Sequence, residues 1–86
     1  MNHRLPRHAE EELRRRQIPR ALLDSVLKNP QQILPERDGK KAYQSQLSFG
    51  DGRVFLLRAI VDDAVEPAVV VTVCRTSKIE KFWRQQ

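Results

Sequence analysis

An α+β fold is what this 86-residue sequence predicts: two N-terminal helices packed on a four-stranded antiparallel sheet, with a short C-terminal helix, in one domain over residues 1–86. Three observations lead there. From His8 to Asn29 the apolar residues recur at helical spacing, with Ala9 and Leu13 on one stripe and Leu22, Leu23, Val26 and Leu27 on another. The period then changes to short runs that read as strands, separated by Asp38-Gly39 and Gly50-Asp51-Gly52. The connections between these runs are short, which favours antiparallel neighbours.

The segment from His8 to Arg16 is rich in charged residues that form helices well, but a helix of roughly nine residues is marginal alone and must be held by packing. His8, Glu12 and Arg16 stand at i, i+4 and i+8 and share one face. Ile18-Pro19 turns the chain, and proline suits the first turn of a second helix running to about Asn29. Pro30 ends it, because proline disfavours helical backbone in the residue before it. Gln32 to Arg37 reads as the first strand, and Asp38-Gly39 as a hairpin turn. Lys41 to Phe49 is the second strand, with Tyr43, Ser45, Leu47 and Phe49 on one face. Arg53 to Val61 is apolar on both faces and so reads as a central strand, with Arg58 as the exception. Asp62 to Pro67 is a polar connection.

Val69 to Cys74 is a run of β-branched residues, the pattern of a buried strand, and it ends abruptly in Arg75, Thr76, Ser77 and Lys78. Ser77 and Glu80 have capping-box spacing, and Ile79, Phe82 and Trp83 follow at helical intervals, so a short helix is expected with Trp83 in the core. His3 receives no role.

The formal charge is +5, from 16 Lys and Arg against 11 Asp and Glu, and it is concentrated at the two ends. Residues 1–20 carry six basic and three acidic groups, and residues 75–86 carry four and one. If the ends meet, they make a basic patch suited to an anionic partner; a solubilising surface is the plainer reading. The single cysteine, Cys74, excludes an internal disulfide and reads as a small buried hydrophobe in a reducing compartment. No stretch has the apolar core of a signal peptide or the length of a membrane span, so the expected location is the cytoplasm, with no membrane partner. One cysteine and two histidines without ligand spacing argue against a metal site. No phosphate-binding glycine loop or nucleophile elbow is present, and no cofactor is expected.

Ordinary side chains are therefore the candidates. Cutting RNA without a metal needs a base for the 2′-hydroxyl, cations for the phosphate and an acid for the leaving oxygen. Histidine changes protonation near neutral pH, and Glu12, one turn from His8, is placed to orient its ring; an exposed ladder of ion pairs is the alternative. Arg58, on an apolar strand, needs either an anionic ligand or a carboxylate, for which Glu12 is the expected partner. Arg75 and Lys78 flank Thr76 and Ser77 at the end of the last strand, where these groups could converge on a phosphate. Tyr43 is a candidate for base stacking and Ser45 for a phosphate or sugar contact. Arg14, Arg15 and Arg16 form a solvated face or a backbone-phosphate contact.

One family resemblance is carried by His8-Ala9, Glu12, Arg16, Ile18, Val26, Leu27 and Pro30, then Tyr43-Gln44-Ser45, Leu57-Arg58, Val71-Thr72-Val73, Arg75-Thr76-Ser77-Lys78-Ile79 and Lys81-Phe82-Trp83. Over His8 to Trp83 the chain resembles a bacterial group of small proteins catalogued as a domain of unknown function, itself similar to the RelE/ParE superfamily of toxins from toxin–antitoxin pairs. The resemblance implies helices on a small antiparallel sheet and a small acidic antitoxin as partner. It further implies metal-independent cleavage of messenger RNA, free or on the ribosome. On that reading His8, Glu12, Arg58 and Lys78 are catalytic, while Arg16, Tyr43, Ser45, Arg75, Thr76 and Ser77 bind substrate. The superfamily also includes gyrase poisons, so a non-catalytic binding toxin, or an inactive relative, is the alternative. The chain departs from the pattern at Cys74 and Phe82, where relatives often carry Tyr, and at Glu12, where many distant ones carry Arg.

Overall fold

A computed structural model describes residues 3–85; Met1, Asn2 and Gln86, the ends of the expected domain, lie outside the described residues. The elements in chain order are β1 (His3–Arg4), α1 (Arg7–Arg15), α2 (Arg20–Lys28), β2 (Gln32–Pro35), a 3-10 turn (Arg37–Gly39), β3 (Lys41–Ser48), β4 (Val54–Asp62), β5 (Ala68–Thr76) and α3 (Ile79–Phe82). The strands form one sheet in the order β1-β5-β4-β3-β2.

This corrects the expected four-stranded antiparallel sheet, because the sheet is five-stranded and mixed. The fifth strand is β1, which runs parallel to β5 and pairs His3 with Ala68 and Arg4 with Val69. A two-residue strand has no period to read. It forms because β5 would otherwise leave backbone donors and acceptors open along that edge.

Helix α1 starts behind Pro6, whose carbonyl accepts the Glu10 N–H at 3.0 Å. It stops in a Schellman turn: the Ile18 N–H reaches the Leu13 carbonyl at 2.8 Å and the Gln17 N–H reaches that of Arg14 at 3.2 Å. Gln17 itself is left-handed, with φ 54°, where glycine is usual. The turn buries Ile18 beside Leu13, and both join Ala9, Leu23, Val26 and Leu27 in a core completed by Leu57, Ala59, Val61, Val70 and Val73 of the sheet. Each fully buried Leu or Val here contributes about 1.5–3 kcal/mol.

At the β2–β3 hairpin Asp38 and Gly39 both take positive φ, 58° and 75°, which matches the right-handed twist of the flanking strands. Across β3 and β4 the register sets Gln44 opposite Arg58 and Ser45 opposite Leu57. Across β4 and β5 it sets Arg58 opposite Cys74 and Leu57 opposite Arg75, with a register shift at Ile60/Val61. Opposed residues share a face, so Gln44, Arg58 and Cys74 project from one side of the sheet. Leu57, Val73 and Arg75 project from the other, which α1 and α2 cover. The C-terminal segment docks on the Gln44–Arg58 side. No helix among the described residues is long and apolar enough to cross a membrane.

Candidate active site

Beyond the two residues paired with β1, the outer edge of β5 is lined by α1, and one side chain of α1 and that of its C-cap residue do there what a neighbouring strand would do. Glu12, only 4% exposed, accepts the Val73 N–H at 3.1 Å, and Arg16 Nη1 donates to the Val73 carbonyl at 2.9 Å. The Thr72 hydroxyl lies 2.8 and 3.0 Å from the two oxygens of the same carboxylate. Arg16 Nη2 stands 3.5 Å and His8 Nε2 3.7 Å from Glu12 Oε2. The i, i+4, i+8 spacing thus becomes a column in which the middle residue is buried and anchored.

The two outer residues differ. The His8 side chain is 69% exposed, and its ring lies beyond hydrogen-bond reach of Glu12, close enough for an ion pair when protonated. Arg16 is half-buried and shared between carboxylate and backbone. Burial alone would raise the Glu12 pKa; the Thr72 hydroxyl, the Val73 N–H and the charges of Arg16 and His8 outweigh it, and the net shift is downward. Glu12 therefore stays ionised as a fixed anion.

Arg58 does not meet Glu12; its carboxylate is Glu36, at 3.4 Å. The Arg58 Nε donates to Gln44 Oε1 at 2.9 Å, and the guanidinium lies 4.4 Å from the centre of the Phe82 ring. Arg75 does not share a face with Arg58; the register puts it on the opposite side of the sheet. There its guanidinium sits 4.9 Å from the Phe49 ring and 4.7 Å from the Phe55 ring.

Tyr43 and Ser45 are not presented to solvent as a stacking face. Both are buried, at 6% and 2% exposure, because α1 and α2 cover their side of the sheet. The Tyr43 ring meets His3 edge-on at 6.1 Å, and the Ser45 hydroxyl accepts the Gln31 N–H at 3.0 Å. Ser77 does not cap α3. The N-cap position is Lys78, without a side-chain cap, and the local hydrogen bond comes from Thr76, whose hydroxyl accepts the Lys78 N–H at 3.0 Å. Lys78 is exposed, and among the described residues no carboxylate lies within ion-pair distance of it. Trp83 is half-buried and outside the main core cluster. Cys74 lies on the Arg58 face; burial pushes its thiol pKa up, assisted by Glu12 and opposed by Arg58 and Arg16.

Reading the sequence missed Thr72 and Val73 as the anchors of Glu12, and Gln32, Gln44, Glu36 and Phe82 as the surroundings of Arg58. The Gln44–Arg58 pair had a signal, since a hairpin centred on Asp51 sets those two residues opposite each other. The Glu12–Val73 contact had none, because it depends on how a helix lies along a strand edge.

A family model described as a domain of unknown function, DUF4258, matches residues 5–75. The match takes in the whole His8–Glu12–Arg16 column and Arg58, and it stops before Thr76-Ser77-Lys78-Ile79. Searches of curated proteins and of solved structures find no match.

Proposed function

This chain belongs to the DUF4258 family, and from that premise and the geometry of α1 we propose that it is the toxin of a RelE/ParE-like toxin–antitoxin pair, acting as a metal-independent endoribonuclease on messenger RNA. The observation that carries the reading is an exposed imidazole set against a carboxylate that the fold holds ionised and immobile. A buried anion that accepts from the Thr72 hydroxyl and the Val73 N–H and has an arginine neighbour is more than an exposed ion-pair ladder needs.

His8 Nε2 faces Glu12, which leaves Nδ1 to take the proton of a 2′-hydroxyl. The 2′-oxygen then attacks phosphorus and the 5′-oxygen leaves, giving a 2′,3′-cyclic phosphate and a free 5′-hydroxyl. Glu12 favours the imidazolium that forms, and Arg16, at the foot of the column, is the cation for the phosphate charge. The proton of the leaving oxygen is assigned to Lys78, which the segment after β5 would have to bring to the column. Arg58 is turned inward toward Glu36 and takes no part in this step. The partner in this reading is a small acidic antitoxin, complementary to the net charge of +5.

A non-catalytic binding toxin is the second reading, favoured by the separation of Arg58 and Arg75 onto opposite faces. Expression in a bacterial host followed by transcript mapping tests both. Growth arrest with cut messenger RNA supports the nuclease. Arrest of DNA synthesis with intact transcripts supports a gyrase-poison role instead, and a folded chain with no effect on growth contradicts both.

A further inference from the structure

The C-terminal segment is held down by polar groups rather than by the core. Gln44 Nε2 donates to the Phe82 carbonyl at 3.2 Å, Gln32 Nε2 donates to the Arg84 carbonyl at 2.7 Å, and the Arg84 N–H donates to Gln32 Oε1 at 3.2 Å. Gln44 is fully buried and the Arg58 side chain only 13% exposed, so an arginine lies over the Phe82 ring while two carboxamides hold the backbone of Phe82 and Arg84.

We propose that this floor, Arg58 with Gln32 and Gln44, is a nucleobase-binding site, and that α3 with Trp83 and Arg84 is a strap that fills it until single-stranded RNA displaces it. The proposal rests on the RNA reading above. What the strap now offers defines the ligand: a flat ring over the guanidinium, an acceptor for Gln44, and an acceptor and a donor for Gln32. A base stacked on Arg58 with its edge toward the two glutamines supplies the same groups. Glu36 already neutralises Arg58, which favours a stacked uncharged ring over a phosphate.

The strap is also cheap to lift. A four-residue helix has no stability of its own, and water replaces the hydrogen bonds it gives up. Exposed Lys78, Lys81 and Arg84 stand along it to meet the phosphates on either side of a bound base. The family match ends at Arg75, before the strap begins.

Trp83, the only tryptophan, lies in the strap and reports its position. The test titrates the full chain with a short 2′-O-methyl oligoribonucleotide, which has no 2′-hydroxyl to attack, so binding is read apart from cleavage. The expected result is a red shift of Trp83 emission that tracks binding. Phe82→Ala should bind about fivefold tighter, because the closed strap no longer competes. Gln32→Ala added to Phe82→Ala should remove that gain. Binding without a change at Trp83, unchanged affinity in Phe82→Ala, or displacement of the strap by an acidic aromatic peptide and not by the oligonucleotide would each overturn the proposal, whether or not the chain cuts RNA.

Discussion

At Glu12 one carboxylate serves the Thr72 hydroxyl, the Val73 N–H and Arg16, so Glu12→Ala strands a backbone donor at the edge of β5 and leaves Arg16 with only the Val73 carbonyl. The expected loss is about 1–3 kcal/mol, read as a lower Tm. The pH dependence has a definite sign. A carboxylate whose folded pKa lies below its unfolded value of about 4.3 stabilises the fold at neutral pH and loses that contribution as the pH falls through the folded value. Acid unfolding should therefore be shallower in Glu12→Gln than in the parent, and equal slopes would contradict the assignment. Part of this residue-scale picture was legible in the sequence, because spacing of four is a property of any helix and brings His8, Glu12 and Arg16 together before packing is known. The partners were not legible: Thr72 and Val73 look like any members of a valine-rich strand, and Arg58 chose Glu36, beside the β2–β3 turn, over Glu12.

Among the elements, α1 places the site, and its Schellman turn sets where Arg16 meets Val73. Gln17 pays for that turn in left-handed backbone. Gln17→Gly should stabilise the protein by about 1 kcal/mol, measured by denaturant unfolding with an unchanged m-value. A loss of stability there would mean that the Gln17 side chain, not the backbone, matters. The helices and long strands were readable from period and punctuation. The first strand was not, because two residues show no alternation and pairing with Ala68 and Val69 needs an edge created far along the chain. The fate of Tyr43 and Ser45 was equally hidden: alternation puts them on one face but does not say which face the helices cover.

For the whole molecule the excess of positive charge lies at the two chain ends, and α1 and the segment after β5 carry it to the same sheet by different routes. Affinity for single-stranded RNA should fall linearly with salt on logarithmic axes, by about 0.7 per phosphate contact. Because exposed Lys78 has no carboxylate partner among the described residues, Lys78→Ala should reduce that slope by about one contact while leaving Tm unchanged. The central claim is catalysis at His8, whose side chain is 69% exposed and whose removal should cost the fold no more than about 0.5 kcal/mol. The direct measurement is cleavage of a single-stranded RNA in EDTA by the purified parent and by His8→Ala at matched Tm. The account predicts cleavage leaving 2′,3′-cyclic phosphate ends in the parent and at least about a hundredfold less in His8→Ala. An intact RNA with the parent, or equal cleavage by both proteins, would contradict it.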